Sequence, residues 1–130
     1  MRPNILVVDD SDEVRLLASR ILEREGYQVT ASDSGVSALK VLQSAVPDLV
    51  LSDIMMPEID GYEVLQKIRS SPATASLPVI FLSAKSSPAD VEKGFALGAN
   101  HYITKPFSGQ DLVRKIRLCL SEHAAAHHSA

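Results

Sequence analysis

The sequence has no tryptophan, one cysteine, and only three tyrosines and three phenylalanines among its 130 residues. A lone Cys119 excludes an internal disulfide framework and any cysteine-built metal cluster. No apolar run approaches the roughly 20 residues that a spanning helix needs, so no membrane segment is expected. Excess positive charge is missing as well. The 13 Lys and Arg against 16 Asp and Glu leave a net charge of −3, which argues against a nucleic-acid surface in this chain. Repeats, linkers and low-complexity tracts are absent from the body of the sequence. At the N-terminus, Met1-Arg2-Pro3-Asn4 passes into Ile5–Val8 and then Asp9-Asp10. That apolar stretch is too short for a signal peptide and ends in acid, so a cytoplasmic chain is expected.

What remains is ample for a core: 45% of the residues are hydrophobic and 22% charged, in a length suited to one domain. Short β-branched runs alternate with longer stretches of helical period. Ile5–Val8, Tyr27–Ala31, Leu49–Leu51, Val79–Leu82 and Tyr102–Ile103 read as strands, most of them continuously apolar, as suits burial on both faces. Between them, Val14, Leu17, Ala18, Ile21 and Leu22 keep an i, i+3, i+4, i+7, i+8 spacing that Gly26 ends. Val36–Leu42, Gly61–Ile68, Ala89–Leu97 and Leu112–Leu120 supply four more helical stretches, the fourth helix being the weakest because it carries Gly94. Five strands alternating with five helices predict a (βα)5 fold of the α/β class, a doubly wound parallel sheet with helices on both faces. Residues 1–122 are read as the folded domain and 123–130, with Ala124–Ala126 and three histidines, as a frayed tail. His123 and His127 have the spacing of a helical metal pair, but no carboxylate or thiolate stands beside them to complete a ligand set.

In such sheets ligands bind beyond the carboxyl ends of the strands, where the strand order reverses. The residues found there are Asp9 and Asp10 after the first strand, Asp53 after the third, Ser83 after the fourth and Lys105 after the fifth. Strand order 2-1-3-4-5 would bring the three aspartates together; order 3-2-1-4-5 would separate Asp53 from the others. Singly, each has an ordinary explanation: Asp10 or Ser11 can cap the first helix, and Asp53 can begin a turn. Five such residues at one sheet edge point instead to a built site. Clustered carboxylates need a cation, and hard oxygen ligands with room for water suit Mg2+.

Four segments resemble the receiver domain of bacterial two-component response regulators: Asp9-Asp10, Asp53-Ile54-Met55-Met56-Pro57 with Asp60-Gly61, Ser83-Ala84, and Lys105-Pro106-Phe107. Thirty residues lead from Asp53 to Ser83 and twenty-two more to Lys105, and the resemblance runs from Asn4 to about Leu120. It implies the flavodoxin-like order 2-1-3-4-5. It implies that Asp53 is the phosphoacceptor, taking a phosphoryl group from the phosphohistidine of a sensor histidine kinase or histidine phosphotransfer protein. It further implies Mg2+ held by Asp10, Asp53 and the Met55 backbone carbonyl, with Asp9 acting through water. Lys105 and the Ser83 hydroxyl would meet the phosphoryl oxygens, Lys105–Pro106 would be cis, and Ser83 with Tyr102 would form the switch pair. Phosphorylation would then draw the loop after the fourth strand inward, turn the Tyr102 ring into the space opened, and alter the face of the fourth helix, fifth strand and fifth helix. Lys93, Tyr102 and Arg117 are placed on that face, where they would meet a partner or, in a homodimer, a second copy.

The sequence departs from the family's commoner pattern in places. Ser83 replaces the usual Thr, keeping the hydroxyl but losing a methyl that restricts the rotamer. Asn100 and His101 stand where DNA-binding members typically carry two acids, and His101 has no evident partner in the sequence. Met55 and Lys85 flank the expected path of attacking water. Cys119 lies on the apolar stripe of the last helix and reads as core. Among other functions, a phosphatase of the haloacid dehalogenase type needs an acid two residues after its nucleophile, where Met55 stands. An electron carrier of the flavodoxin type needs a hydroxyl-rich phosphate loop, where Asp9–Glu13 would repel phosphate, and a degenerate receiver would lack the complete acidic set. The expectation is therefore a self-phosphorylating and self-dephosphorylating switch and not a turnover enzyme. It is either a standalone regulator or, the reading preferred here, the N-terminal receiver of a longer chain.

Overall fold

The computed structural model describes residues 2–128. Its elements alternate as β1 (Asn4–Val8), α1 (Asp12–Arg24), β2 (Gln28–Ser32), α2 (Gly35–Ser44), β3 (Leu49–Ser52), α3 (Gly61–Ser70), β4 (Val79–Ser83), α4 (Pro88–Ala96), β5 (His101–Thr104) and α5 (Gly109–His128). All five strands are parallel in the order β2-β1-β3-β4-β5, so β1 and β3 are neighbours across the reversal.

Alternation along each strand divides the core into two layers. Leu6, Val8, Val50 and Phe81 face α2, α3 and α4, where Ala38, Leu65 and Ile68 meet them. Ile5, Val7, Leu51 and Ile80 face α1 and α5, against Ala18, Leu22, Leu112 and Ile116. Each fully buried aliphatic side chain is worth about 1.5–3 kcal/mol of transfer free energy, and these two layers hold the sheet. β2 is an edge strand, only partly buried, and begins at Gln28. Tyr27, assigned to it from sequence, lies between the preceding turn and the strand.

Caps set where the helices begin. Ser11 accepts from the Val14 amide at 3.3 Å and Ser34 from the Ser37 amide at 3.1 Å, Asp60 and Glu63 form a capping box, and Ser87 precedes Pro88. Ser11, not Asp10, therefore caps α1. Gly26 closes that helix with φ of 93°, a conformation that disfavours a side chain. At the far end, α5 runs unbroken through the boundary read at residue 122, because Ala124–Ala126 are the strongest helix formers available. Ser129 and Ala130, the end of the expected tail, and the His127 side chain of the expected metal pair lie outside the described residues. Among the described residues no helix is long and apolar enough to cross a membrane.

Candidate functional site

The parallel ladder extends one residue past the strands and aims the side chains that follow. The Asp9 amide donates to the Ser32 carbonyl at 3.2 Å, Asp53 to Val8 at 2.8 Å, and Lys105 to Ser83 at 2.9 Å. Fixed this way, Asp9, Asp10 and Asp53 each offer a carboxylate oxygen within 4.8 Å of the others. Asp9 and Asp53 are buried, whereas Asp10 is exposed. All the donors are carboxylates and one side stays open to water, which fits a small hard cation such as Mg2+.

Lys105 also reaches into this cluster. Its ammonium donates to Asp9 Oδ2 at 3.0 Å and to Asp53 Oδ2 at 3.3 Å. Asp53 Oδ1 accepts from the Ile54 amide at 2.7 Å and the Met55 amide at 3.4 Å. Burial pushes the Asp9 carboxyl above its ordinary value, although the Ser11 amide and Lys105 pull it down. Burial also works against the Lys105 cation, but the Asp9 and Asp53 carboxylates outweigh it and hold the ammonium above its usual range. Lys105 is therefore charged at neutral pH. The Lys105–Pro106 bond is cis, as the resemblance implies.

Close packing brings the acceptor loop against α3. A Cβ on Gly61 would stand 2.3 Å from the Asp53 carbonyl oxygen, so only glycine lets the helix begin there. Ser83 is fully buried and its Oγ accepts from the Lys85 amide at 3.3 Å. Met55, two residues past Asp53, is exposed.

The described structure alters several details expected from sequence. Tyr102 is already turned inward, 7% exposed, with its hydroxyl donating to the Lys85 carbonyl. Burial, reinforced by nearby negative groups, pushes that hydroxyl up to about 12, so it remains a donor. Arg117 pairs with Glu25 at the end of α1, 2.8 Å away, and so belongs to the α1 side and not to the face of α4, β5 and α5. His101 does have a partner, Glu122 at 2.6 Å, brought beside it by the length of α5.

Sequence reasoning missed Arg15, one helical turn into α1, which donates to the Asp9 carbonyl at 2.8 Å and also pairs with Asp12. It also missed Arg69, which donates to the carbonyls of Gly98 at 2.7 Å and Leu77 at 2.5 Å and ties α3 to the turn before β5. Arg15 bonds back only six residues, to a backbone carbonyl that residue types do not mark, and the position of Arg69 in α3 carries no signal of a partner 29 residues on. A separate cavity of about 560 Å3 lies between the ends of α2 and α3, away from the aspartates. Lys67 is its sole charged lining residue, so it lacks the chemistry of the carboxylate site.

Comparison with known proteins agrees with this geometry. The family model described as the response regulator receiver domain matches residues 5–117. The transcriptional regulatory protein CseB of Streptomyces avermitilis is 39% identical over 128 residues, covering 97% of this chain and 53% of that protein. The alkaline phosphatase synthesis transcriptional regulatory protein PhoP of Bacillus subtilis is 39% identical over 127 residues, covering 96% and 52%. The chain thus spans about half the length of these curated relatives. Among solved structures, chemotaxis protein CheY4 of Vibrio cholerae superposes with a TM-score of 0.87 at 30% identity, covering 92% of this chain and 99% of that one. A CheY-like receiver domain protein of Methanospirillum hungatei gives 0.90 at 28% identity, covering 97% and 99%. With three aspartates and Lys105 gathered at the carboxyl edge of a 2-1-3-4-5 sheet, the chain belongs to the response regulator receiver domain family and is a phosphorylatable module of two-component signalling.

Proposed function

We propose that Asp53 is the phosphoacceptor, and the observation that carries this is Lys105 bridging Asp53 and Asp9 beside an exposed Asp10. The donor is the phosphohistidine of a sensor histidine kinase or histidine phosphotransfer protein. An Asp53 carboxylate oxygen attacks phosphorus, a P–O bond forms as the P–N bond breaks, and the electron pair leaves with the imidazole. Hydrolysis by water later restores the carboxylate, which makes the domain a switch and not a turnover enzyme.

Asp10, Asp53 and the Met55 carbonyl would hold Mg2+ directly, with Asp9 through water, and the ion when bound would offset charge on the phosphoryl oxygens. The chain's own residues supply the rest. Lys105 follows the negative charge from the bare carboxylates to the phosphoryl group, and the Ser83 hydroxyl donates to one of its oxygens. Tyr102, bonded to the loop two residues beyond Ser83, feels that change first. Its inward position means that the response is a strengthening or release of an existing contact and not the filling of an empty space. The output face comprises α4, β5 and α5, where a partner or a second copy docks. The phosphatase alternative has no support: Met55 cannot protonate a leaving group, and the family found is a receiver. A cytoplasmic location, no direct nucleic-acid contact by this domain, and a domain core of residues 1–122 complete the reading.

Intact-mass measurement after treatment with acetyl phosphate and Mg2+ tests it. One added phosphoryl group is expected on the natural sequence and none on Asp53→Asn, whose amide cannot act as the nucleophile. Full labelling of the variant would place the acceptor elsewhere.

A further inference from the structure

α4 has little of its own to hold it against the sheet. Gly94 is its buried residue and Val91 is partly buried. Beneath the helix three aromatic rings run in a row across the strands. Tyr62, from the first turn of α3, meets Phe81 edge to face at 5.7 Å and 83°, and Phe81 meets Tyr102 at 6.1 Å and 72°. The helix lies directly on this row, since a Cβ on Gly94 would stand 3.2 Å from the Phe81 ring and 3.5 Å from that of Tyr102.

Both ends of the row bond upward into the same segment. On the β5 side, the Tyr102 hydroxyl donates to the Lys85 carbonyl in the loop before α4. On the α3 side, the Tyr62 hydroxyl donates to the Asp90 carbonyl at 3.4 Å, within the first turn of α4. One turn on, the Lys93 ammonium sits 4.3 Å from the centroid of the Tyr62 ring. A cation over an aromatic face is attracted by the ring quadrupole, and here the ring is 7% exposed and held by Phe81, so it cannot follow the lysine if the helix moves.

We infer that Tyr62 is a second tether of α4, opposite Tyr102, and that its ring with Lys93 and its hydroxyl with Asp90 set how strongly the helix resists leaving its resting seat. The two tethers differ in what reaches them. Tyr102 is bonded two residues from Ser83 and is coupled to the carboxylate site, whereas the hydrogen bond and ring contacts of Tyr62 are made to Asp90, Phe81 and Lys93, so that it fixes the resistance that α4 opposes. An element held by few apolar contacts and a few polar ones opens locally before the rest of the fold does. The inference concerns the unphosphorylated protein and stands whether or not Asp53 is the acceptor.

Hydrogen–deuterium exchange of the full chain, read by mass spectrometry over residues 88–97, tests it. Lys93→Met keeps the apolar stem and removes the cation; α4 amides should exchange about two- to fivefold faster, the size of one exposed cation–π contact. Tyr62→Phe keeps the ring and removes a long hydrogen bond, giving about twofold. Tyr62→Leu removes both and should give about five- to tenfold, with amides of β1 and β3 unchanged. Unchanged α4 exchange in Lys93→Met and Tyr62→Phe overturns the inference. So does acceleration in Tyr62→Leu spread evenly through the sheet with Lys93→Met silent, since Tyr62 would then be a core residue and nothing more.

Discussion

Asp10→Asn should stabilise the metal-free protein and remove its response to Mg2+, two effects of opposite sign from one amide. Asp10 lies within 4.8 Å of two other carboxylate oxygens, and Lys105 contacts Asp9 and Asp53 but not Asp10. The ammonium offsets one of those two charges, so Asp10 faces about one net carboxylate. Because Asp10 is exposed, the repulsion is that of a watery setting, about 1 kcal/mol at this separation. Relieving it should raise the melting temperature by about 3–5 °C in a domain of this size. With Mg2+ the order reverses. At a concentration 100 times its dissociation constant, a specifically bound ion stabilises the natural sequence by about 2.7 kcal/mol. The variant, lacking a direct ligand, should gain far less. Thermal melts followed by far-UV circular dichroism at increasing Mg2+ would therefore cross, the variant being the more stable without the ion and the less stable with it. Melting curves that never cross would refute the charge balance argued for the site. An unchanged Mg2+ response in the variant would remove Asp10 from the ligand set.

Gly61→Ala should cost about 1–3 kcal/mol in urea denaturation, because its Cβ would stand 2.7 Å from the Ile54 Cα and 2.3 Å from the Asp53 carbonyl oxygen, and backbone must move. The same shift should slow phosphorylation by acetyl phosphate; a variant of natural stability and rate would show that the close approach is not needed. Cys119 is 1% exposed, and burial pushes its thiol up to about 12. The folded state thus favours the neutral thiol. Its contribution to stability is complete below about pH 8.5, where the unfolded thiol is also protonated, and falls away as pH rises towards 12 because the unfolded chain loses the proton first. Cys119→Ser should flatten the decline in stability between pH 8 and pH 10.5, whatever its effect on the absolute value. In the folded protein Cys119 should also react far more slowly with a thiol reagent than in urea.

Much of this domain was legible in the residues themselves. The alternation of short β-branched runs with helical periods determines the α/β class, since a strand buried on both faces and a one-sided helix have different periods that the order of residues alone can display. The polar residues within two positions of the end of an apolar run likewise include Asp9, Asp53, Ser83 and Lys105, because a parallel strand emerging from the core must release its next side chains at the sheet edge. What periodicity could not decide was the order of the strands, and with it whether Asp53 stands beside Asp9 or apart; the resemblance supplied that order and the structure has it. Only the tertiary structure revealed Arg15 on the Asp9 carbonyl, Glu122 beside His101, Arg117 turned to Glu25, and Lys93 over Tyr62. All four are contacts of long, flexible polar side chains. Where such a side chain ends depends on which helices pack together and how far they run, a property of the assembled layers that the spacing of residues along the chain does not contain.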